Sequence, residues 1–338
     1  MNLWLLAGLT LVAALYAMVY SPAFLLKYVL VMALGLAIEF VYVLLAEGRL
    51  AWRSGGSATT AAILVASLPP AMPLLPLVFA LLVAVVLGRM PTGARALQLN
   101  PALLGRLFLM LAYNQEIVNW IGAAAPPDGV TSATPLEVFH AEDSPTAIYS
   151  LGMLVTGRIH GDWEGLYQFV PGSPGEMFTP VILLVGVALV WRGVMDWRPG
   201  ASFLVTFAAA CAVLYAPQAK AHIVDAGGGF ALGPFAATLG ATVLFNLLSG
   251  AVVFAAVFIA GAPKSTPGTK AGRLAAGGVA GITDALIRRY TNYSEGIVFS
   301  FLLANLLAPT LDRLAYRLRG WRLSRQQAAW QRPRAASA

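Results

Sequence analysis

Cysteine and histidine are scarce in this chain, and that limits its chemistry first. The lone cysteine, Cys211, rules out an intrachain disulfide, a CxxC redox pair and an iron–sulfur centre held by four thiolates of this chain. The three histidines, His140, His160 and His222, lie far apart, which argues against a bis-histidine haem in one helix pair. Any redox work falls to a cofactor that needs neither thiolate nor imidazole ligands. Charge is scarce as well: 11% of residues are charged and 59% are hydrophobic, with a mean hydropathy of +0.74. A soluble chain of 338 residues needs more charge than this to cover its surface. Long apolar runs then define the class, an all-α polytopic membrane protein embedded in lipid.

The net charge of +7 is concentrated at one end. Seven arginines fall between Arg313 and Arg334 with no acid among them, directly after the last apolar run. That placement is a positive-inside signal and argues against nucleic acid as a partner. The apolar runs predict ten spans, near 3–20, 23–46, 58–72, 73–89, 98–118, 177–191, 200–216, 231–260, 272–288 and 296–312. The first lacks a basic n-region and a cleavage site and reads as a retained helix. With the N-terminus inside, the inner loops and tail hold 16 of the 22 basic residues. The loop 119–176 holds seven acids against Arg158 alone and falls outside. The chain thus divides into a first five-helix membrane half (1–118), an extracytoplasmic loop (119–176), a second five-helix half (177–312) and a basic cytoplasmic tail (313–338). A five-span unit that repeats is inverted. Gly55-Gly56-Ser57 against Gly227–Gly229, and Asn100-Pro101 against Asn305 and Pro309, hint at such a repeat.

The acidic loop carries the most informative segment, Asp128-Gly129-Val130-Thr131-Ser132-Ala133-Thr134-Pro135-Leu136. Small residues precede Thr134, Gly129 adds flexibility and Pro135 fixes the chain beyond. Taken alone, it reads equally as a polar loop with a Thr-Pro turn. The turn Pro171-Gly172-Ser173-Pro174-Gly175-Glu176 offers backbone N–H groups to a phosphate or a ring. It also reads as a helix cap, with Ser173 or Glu176 meeting free N–H groups of the sixth span. No GxGxxG fingerprint, metal-ligand set or catalytic constellation is present. Four charges lie inside spans: Glu39, Arg106, Asp284 and Arg288. Each faces protein or a wet cavity rather than lipid. Asp284 and Arg288 are spaced to pair on one helix face. Glu39 has no partner at helical spacing, so it is either an ion station or the partner of Arg106.

Several segments agree in order with one family. They are Gly56-Ser57-Ala58-Thr59-Thr60 followed by Leu68-Pro69-Pro70, Asn100-Pro101-Ala102, Gly172 to Glu176, and Glu295-Gly296 with Asn305 and Pro309. Together with the Thr134 segment they resemble the RnfD/NqrB family over about residues 50–313. Departures are Ser132 where the family has glycine, and Ala260-Gly261-Ala262-Pro263 where it often carries an acid. The hydrophilic N-terminal extension of NqrB-type members is missing, so length favours an RnfD-like member.

The resemblance implies a flavin-bearing membrane subunit of an ion-translocating electron-transport complex in the bacterial cytoplasmic (inner) membrane, with both termini cytoplasmic. FMN would be esterified through its phosphate to Thr134, with Asp128, Ser132, Ala133 and Pro135 forming the attachment segment. Gly172, Ser173, Gly175 and Glu176 would approach the phosphate or ring. The analogy admits a second, non-covalent flavin (riboflavin or FMN), to be sought first near Ser57, Thr60, Asn246 and Asn305. Glu39 and Asp284 are the ion-path candidates. Implied partners are the other membrane and peripheral subunits of an Rnf/Nqr-type complex and a flavin transferase. The rival expectations are a transporter or channel, or an assembly subunit, with the same fold and no redox cofactor.

Overall fold

A computed structural model describes residues 2–19, 21–48, 56–88, 99–117, 134–136, 139, 151–156, 170, 172–225, 231–261, 265–291, 293 and 295–335. Among these residues every regular element is a helix. Helix α1 spans Asn2–Val19 and α2 spans Pro22–Glu47. The start and stop of α2 follow from local chemistry. Ser21 accepts the Ala23 N–H, Pro22 takes the first helical position, and Gly48 closes the end in a left-handed conformation.

The chain then shortens its elements. Helix α3 (Gly56–Ala66) and α4 (Leu74–Leu82, continued by a π-helical turn Val83–Leu87) flank the proline-rich break at Leu68–Pro73. Helix α5 (Pro101–Ala112) is capped by Asn100, whose side chain accepts the Ala102 N–H. The short helices α6 (Asn114–Ile117) and α7 (Leu151–Thr156) flank the loop region. Helix α8 is Thr179–Trp191 and α9 is Trp197–Asp225. Helix α10 (Leu232–Leu248) leads to α11 (Val252–Phe254), which continues as the π-helical turn Ala255–Ile259. Helix α12 is Lys270–Tyr290, and α13 runs from Ile297 to Ala335, well into the basic tail.

A helix lies in each of the ten segments expected to span, but they are not ten equal rods. Among the described residues three stretches are long and apolar enough to cross a membrane: Pro22–Ala46, Trp197–Val224 and Ile297–Trp321. The segment 231–260, expected as one span, is a pair of helices bent by 61° and passes the same test only when counted together. Helices α3, α4, α5 and α8 are shorter apolar elements. The protein is therefore an integral membrane protein built from a few long helices with short, interrupted ones between them.

Packing follows small residues. Helix α12 lies against α9 so closely that a Cβ on Gly277 would sit 2.2 Å from the Pro199 carbonyl oxygen. A Cβ on Gly281 would sit 2.5 Å from that of Phe203. Glycine on one face of α12 is what lets the backbones meet. Phe203, Phe207 and Phe301 fill the adjoining core.

Candidate functional site: a charged helix break beneath the loop

The α10–α11 break is the centre of the site. Helix α10 ends at Leu248, Gly250 turns the chain with φ +66°, and α11 begins at Val252. A broken helix exposes carbonyls at one end and N–H groups at the other, and in an apolar interior both need partners. Arg288 of α12 donates from Nη1 to the Asn246 carbonyl at 3.1 Å and to the Ser249 carbonyl at 3.4 Å. Glu295, between α12 and α13, accepts the Ala251 N–H on Oε1 at 2.7 Å. A cation thus meets the C-terminal end and an anion the N-terminal end, as the helix dipoles require.

These two groups belong to a larger network. Glu295 Oε2 lies 2.8 Å from Arg106 Nη2 on α5, so an ion pair between residues 189 positions apart ties the break to α5. Arg288 Nε is 3.8 Å from Asp284, the pair expected from their spacing, and its guanidinium lies over the Phe207 ring. Both members of that pair are fully buried. Arg106 Nε and Nη1 are buried and make no hydrogen bond among the described residues. Removing one partner of such a buried pair costs about 3–5 kcal/mol, because the other charge is stranded.

The Gly172–Phe178 turn packs beside this network. Glu176 Oε1 accepts hydrogen bonds from Ser173 Oγ at 2.6 Å and Ser173 N at 3.3 Å. The Gly175 N–H donates to the Ala66 carbonyl at the end of α3, and Tyr16 donates its hydroxyl to the Gly172 carbonyl. The turn is therefore locked to α1 and α3. The helix-cap reading needs correction: Glu176 caps its own turn, while α8 starts after Phe178 (φ 57°) with no side-chain cap. Burial pushes the Glu176 carboxyl up to about 8, and the nearby Glu295 adds to the shift. Ser173 and Arg106 act in the opposite direction.

Thr134 and Pro135 sit on top of this arrangement. Pro135, Glu176, Met177 and the Leu248–Gly250 break line a cavity of about 20 Å³, room for about one water. Phe139 packs edge-on against Tyr215 and tilted against Phe245, with ring centres 5.6 and 5.2 Å apart, and pins the segment to α9 and α10. Thr134 is only 5% exposed and Leu136 and Phe139 only 2%. The structure thus brings Pro135, next to Thr134, together with Glu176 of the turn that also holds Gly172, Ser173 and Gly175. Asp128, Ser132 and Ala133 lie outside the described residues.

The remaining sequence candidates are dispersed. Glu39 accepts the Ser57 N–H at the start of α3 at 3.2 Å; Arg106, weighed as its partner, pairs with Glu295 instead. Thr60 bonds back to Gly56 within α3. Asn246 bonds back to Thr242 within α10, and its carbonyl receives Arg288. Asn305 accepts the Asn100 N–H and donates to the Ser265 carbonyl, joining α5 to α13. Ser57, Asn246 and Asn305 thus act in three separate contacts. Ser57 Oγ, Asn246 Oδ1 and Ser249 Oγ are buried without a hydrogen-bond partner among the described residues.

Fold and site together define a class: an all-helical integral membrane protein whose charged core serves a broken helix under an anchored loop segment. The chain belongs to the NQR2, RnfD, RnfE family, whose family model matches residues 1–318. It is 28% identical to the D component of the ion-translocating oxidoreductase complex of Sodalis glossinidius, over 87% of this chain and 86% of that protein. The corresponding component from Actinobacillus succinogenes is 26% identical over 92% and 90%. The B component of the Na(+)-translocating NADH-quinone reductase of Yersinia pestis is 30% identical over 72% of this chain and 55% of that protein.

Proposed function

We propose that this chain is the flavin-bearing membrane subunit of an ion-translocating electron-transport complex of the Rnf or Nqr type. FMN is esterified to the Thr134 hydroxyl, and the chain relays electrons between other subunits. The observation that carries the reading is the position of the Thr134–Pro135 segment, docked against a helix break that is wired to buried charges. The relatives' printed names supply the complex type.

The residues fit the linkage. Thr134 offers a hydroxyl for a phosphodiester, and the segment is anchored by Phe139 rather than free. The water-sized cavity beside Pro135 does not house a flavin ring. With Thr134 nearly buried, attachment precedes docking of the segment. When bound, FMN supplies one- and two-electron exchange without metal ligands. The chain's own task is to hold the Thr134 segment, whose Pro135 lies beside Glu176 and the break. A change of charge at the loop would act on the Glu295–Arg106 pair through the low-dielectric interior and would bias the break between arrangements. That is the route by which electron transfer gates Na⁺ or H⁺, with Glu39 and Asp284 as further stations. A second, non-covalent flavin stays part of this reading by family analogy alone, since Ser57, Asn246 and Asn305 lie in separate contacts.

In this reading the chain crosses the bacterial inner membrane ten times in two inverted halves. Both termini are cytoplasmic and the Thr134 loop is outside. Its partners are the other subunits of the complex and a flavin transferase. The test is expression with a bacterial flavin transferase, followed by flavin fluorescence of the denatured band. A fluorescent wild type and a dark Thr134→Ala are expected. A dark wild type, with the transferase active on a control substrate, favours the rival, a cofactor-free transporter or assembly subunit.

A further inference from the structure

A second polar site lies away from the loop, where α8 turns into α9. That turn, the chain around Gly261 and the first turn of α12 enclose a cavity of about 340 Å³. Its charged lining is Asp196, Arg198 and Arg273, with Thr266, Gly193, Trp197 and Gly261 around them. Asp196 accepts from Arg198 Nη1 at 3.1 Å on each oxygen, from the Arg198 N–H at 3.0 Å, and from Arg273 Nη1 at 2.6 Å. Arg273 Nε is committed to the Pro267 carbonyl.

One arginine would neutralise Asp196, yet two are present. The cluster keeps one net positive charge, since Asp196 remains ionised: its hydrogen bonds from Arg198 and Arg273 outweigh burial and hold it below its ordinary range. Arg198 Nε and Nη2 and Arg273 Nη2 bond to no described residue. Both side chains are about a third open, at 29% and 31% exposure. A cavity of this size with convergent guanidinium donors suits an oxyanion.

The surroundings are apolar and open. Leu184, Val187 and Trp191, three and four positions apart on α8, are 70%, 68% and 84% exposed and form one stripe ending at the pocket. Trp197 is 53% exposed with Arg198 over its ring, and Arg192 lies over Trp4 at the same end of the molecule. An exposed apolar stripe ending in tryptophans and arginines is how a membrane helix meets the headgroup layer.

We propose that this pocket binds a phosphate group, that of an anionic phospholipid whose acyl chains lie along the α8 stripe. The test is native mass spectrometry of the detergent-solubilised full chain. Phosphatidylglycerol is titrated beside diacylglycerol with the same acyl chains, and inorganic phosphate is added alone in a third arm. The wild type is expected to retain one phosphatidylglycerol in preference to diacylglycerol. Arg198→Gln is expected to weaken retention about tenfold, the loss of one charge-assisted contact. Asp196→Asn, which removes the internal competitor, is expected to hold the lipid at least as tightly as the wild type. That variant keeps the test open where Arg198→Gln does not fold. Equal retention by wild type and Arg198→Gln, or loss in Asp196→Asn, overturns the proposal and leaves a structural ion cluster. Inorganic phosphate bound without preference for phosphatidylglycerol over diacylglycerol overturns the lipid source and leaves free phosphate as the ligand.

Discussion

Two helix breaks among the described residues are stabilised differently. Between α3 and α4 the backbone turns through Pro69, Pro70 and Pro73, which have no N–H to satisfy. The Met72 N–H closes a turn onto the Pro69 carbonyl, and one lysine serves carbonyls of the turn: Lys27 of α2 donates to the Pro70 carbonyl at 2.8 Å and to that of Met72. Between α10 and α11 the turn is made by Ser249 and Gly250, and the Ala251 N–H remains. An N–H in an apolar interior calls for an acceptor, and at a helix start an acid serves best. Glu295 fills that role, and a buried acid in turn calls for a cation, which Arg106 supplies. Replacing proline by glycine at a break therefore carries a chain of consequences that ends in a buried charge network. Only the second break acquires groups whose balance a nearby charge disturbs, and it is the one beneath Thr134 and Pro135.

The contrast can be broken by substitution. The largest effect is expected for Glu295→Gln, which strands Arg106 and costs about 3–5 kcal/mol. It should abolish a monodisperse peak in size-exclusion chromatography, and Arg106→Gln in the same chain should restore part of it. Gly250→Ala comes next. It forces a left-handed conformation on alanine, and its Cβ would lie 2.6 Å from Glu295 Oε1, at a cost of up to about 3 kcal/mol in thermal melting. Lys27→Met strips the first break of its one cation and should cost about 1.5 kcal/mol, without the rescue by a second substitution that marks the second break.

A pH dependence sharpens the contrast further. Glu176 has its folded value raised from 4.5 to about 8, so burying its charged form is unfavourable. Stability is highest below the unfolded value and declines as pH rises from about 4.5 to about 8. Glu176→Gln should flatten that part of the melting-temperature profile, and an unchanged profile would remove Glu176 from the coupling scheme.

Much of the helical architecture was legible in the apolar runs. Every expected span contains a helix, and the Leu68–Pro73 break announces itself through its prolines. The second break was hidden. The segment 231–260 reads as one long apolar run, and Ser249-Gly250 is a common pair in membrane helices. Its excess length over a single span was the available signal. The Asp284–Arg288 pair followed from spacing of four, because helical neighbours are fixed by local geometry. The Arg106–Glu295 pair did not, because its members are brought together only by tertiary packing. Glu295 was noticed in a motif, but its bond to the break depends on a turn that no periodicity reveals. The docking of Thr134 depends on Phe139, which in sequence is one aromatic residue in a polar loop.

The most direct test of a flavin-bearing subunit is the intact mass of the full chain purified after expression with a flavin transferase, followed by peptide mapping. Flavin attachment at Thr134 predicts a gain of one FMN less one water, located on the peptide containing Thr134 and absent from Thr134→Ala. An unmodified mass in the presence of a demonstrably active transferase, or the same gain in Thr134→Ala, would contradict it.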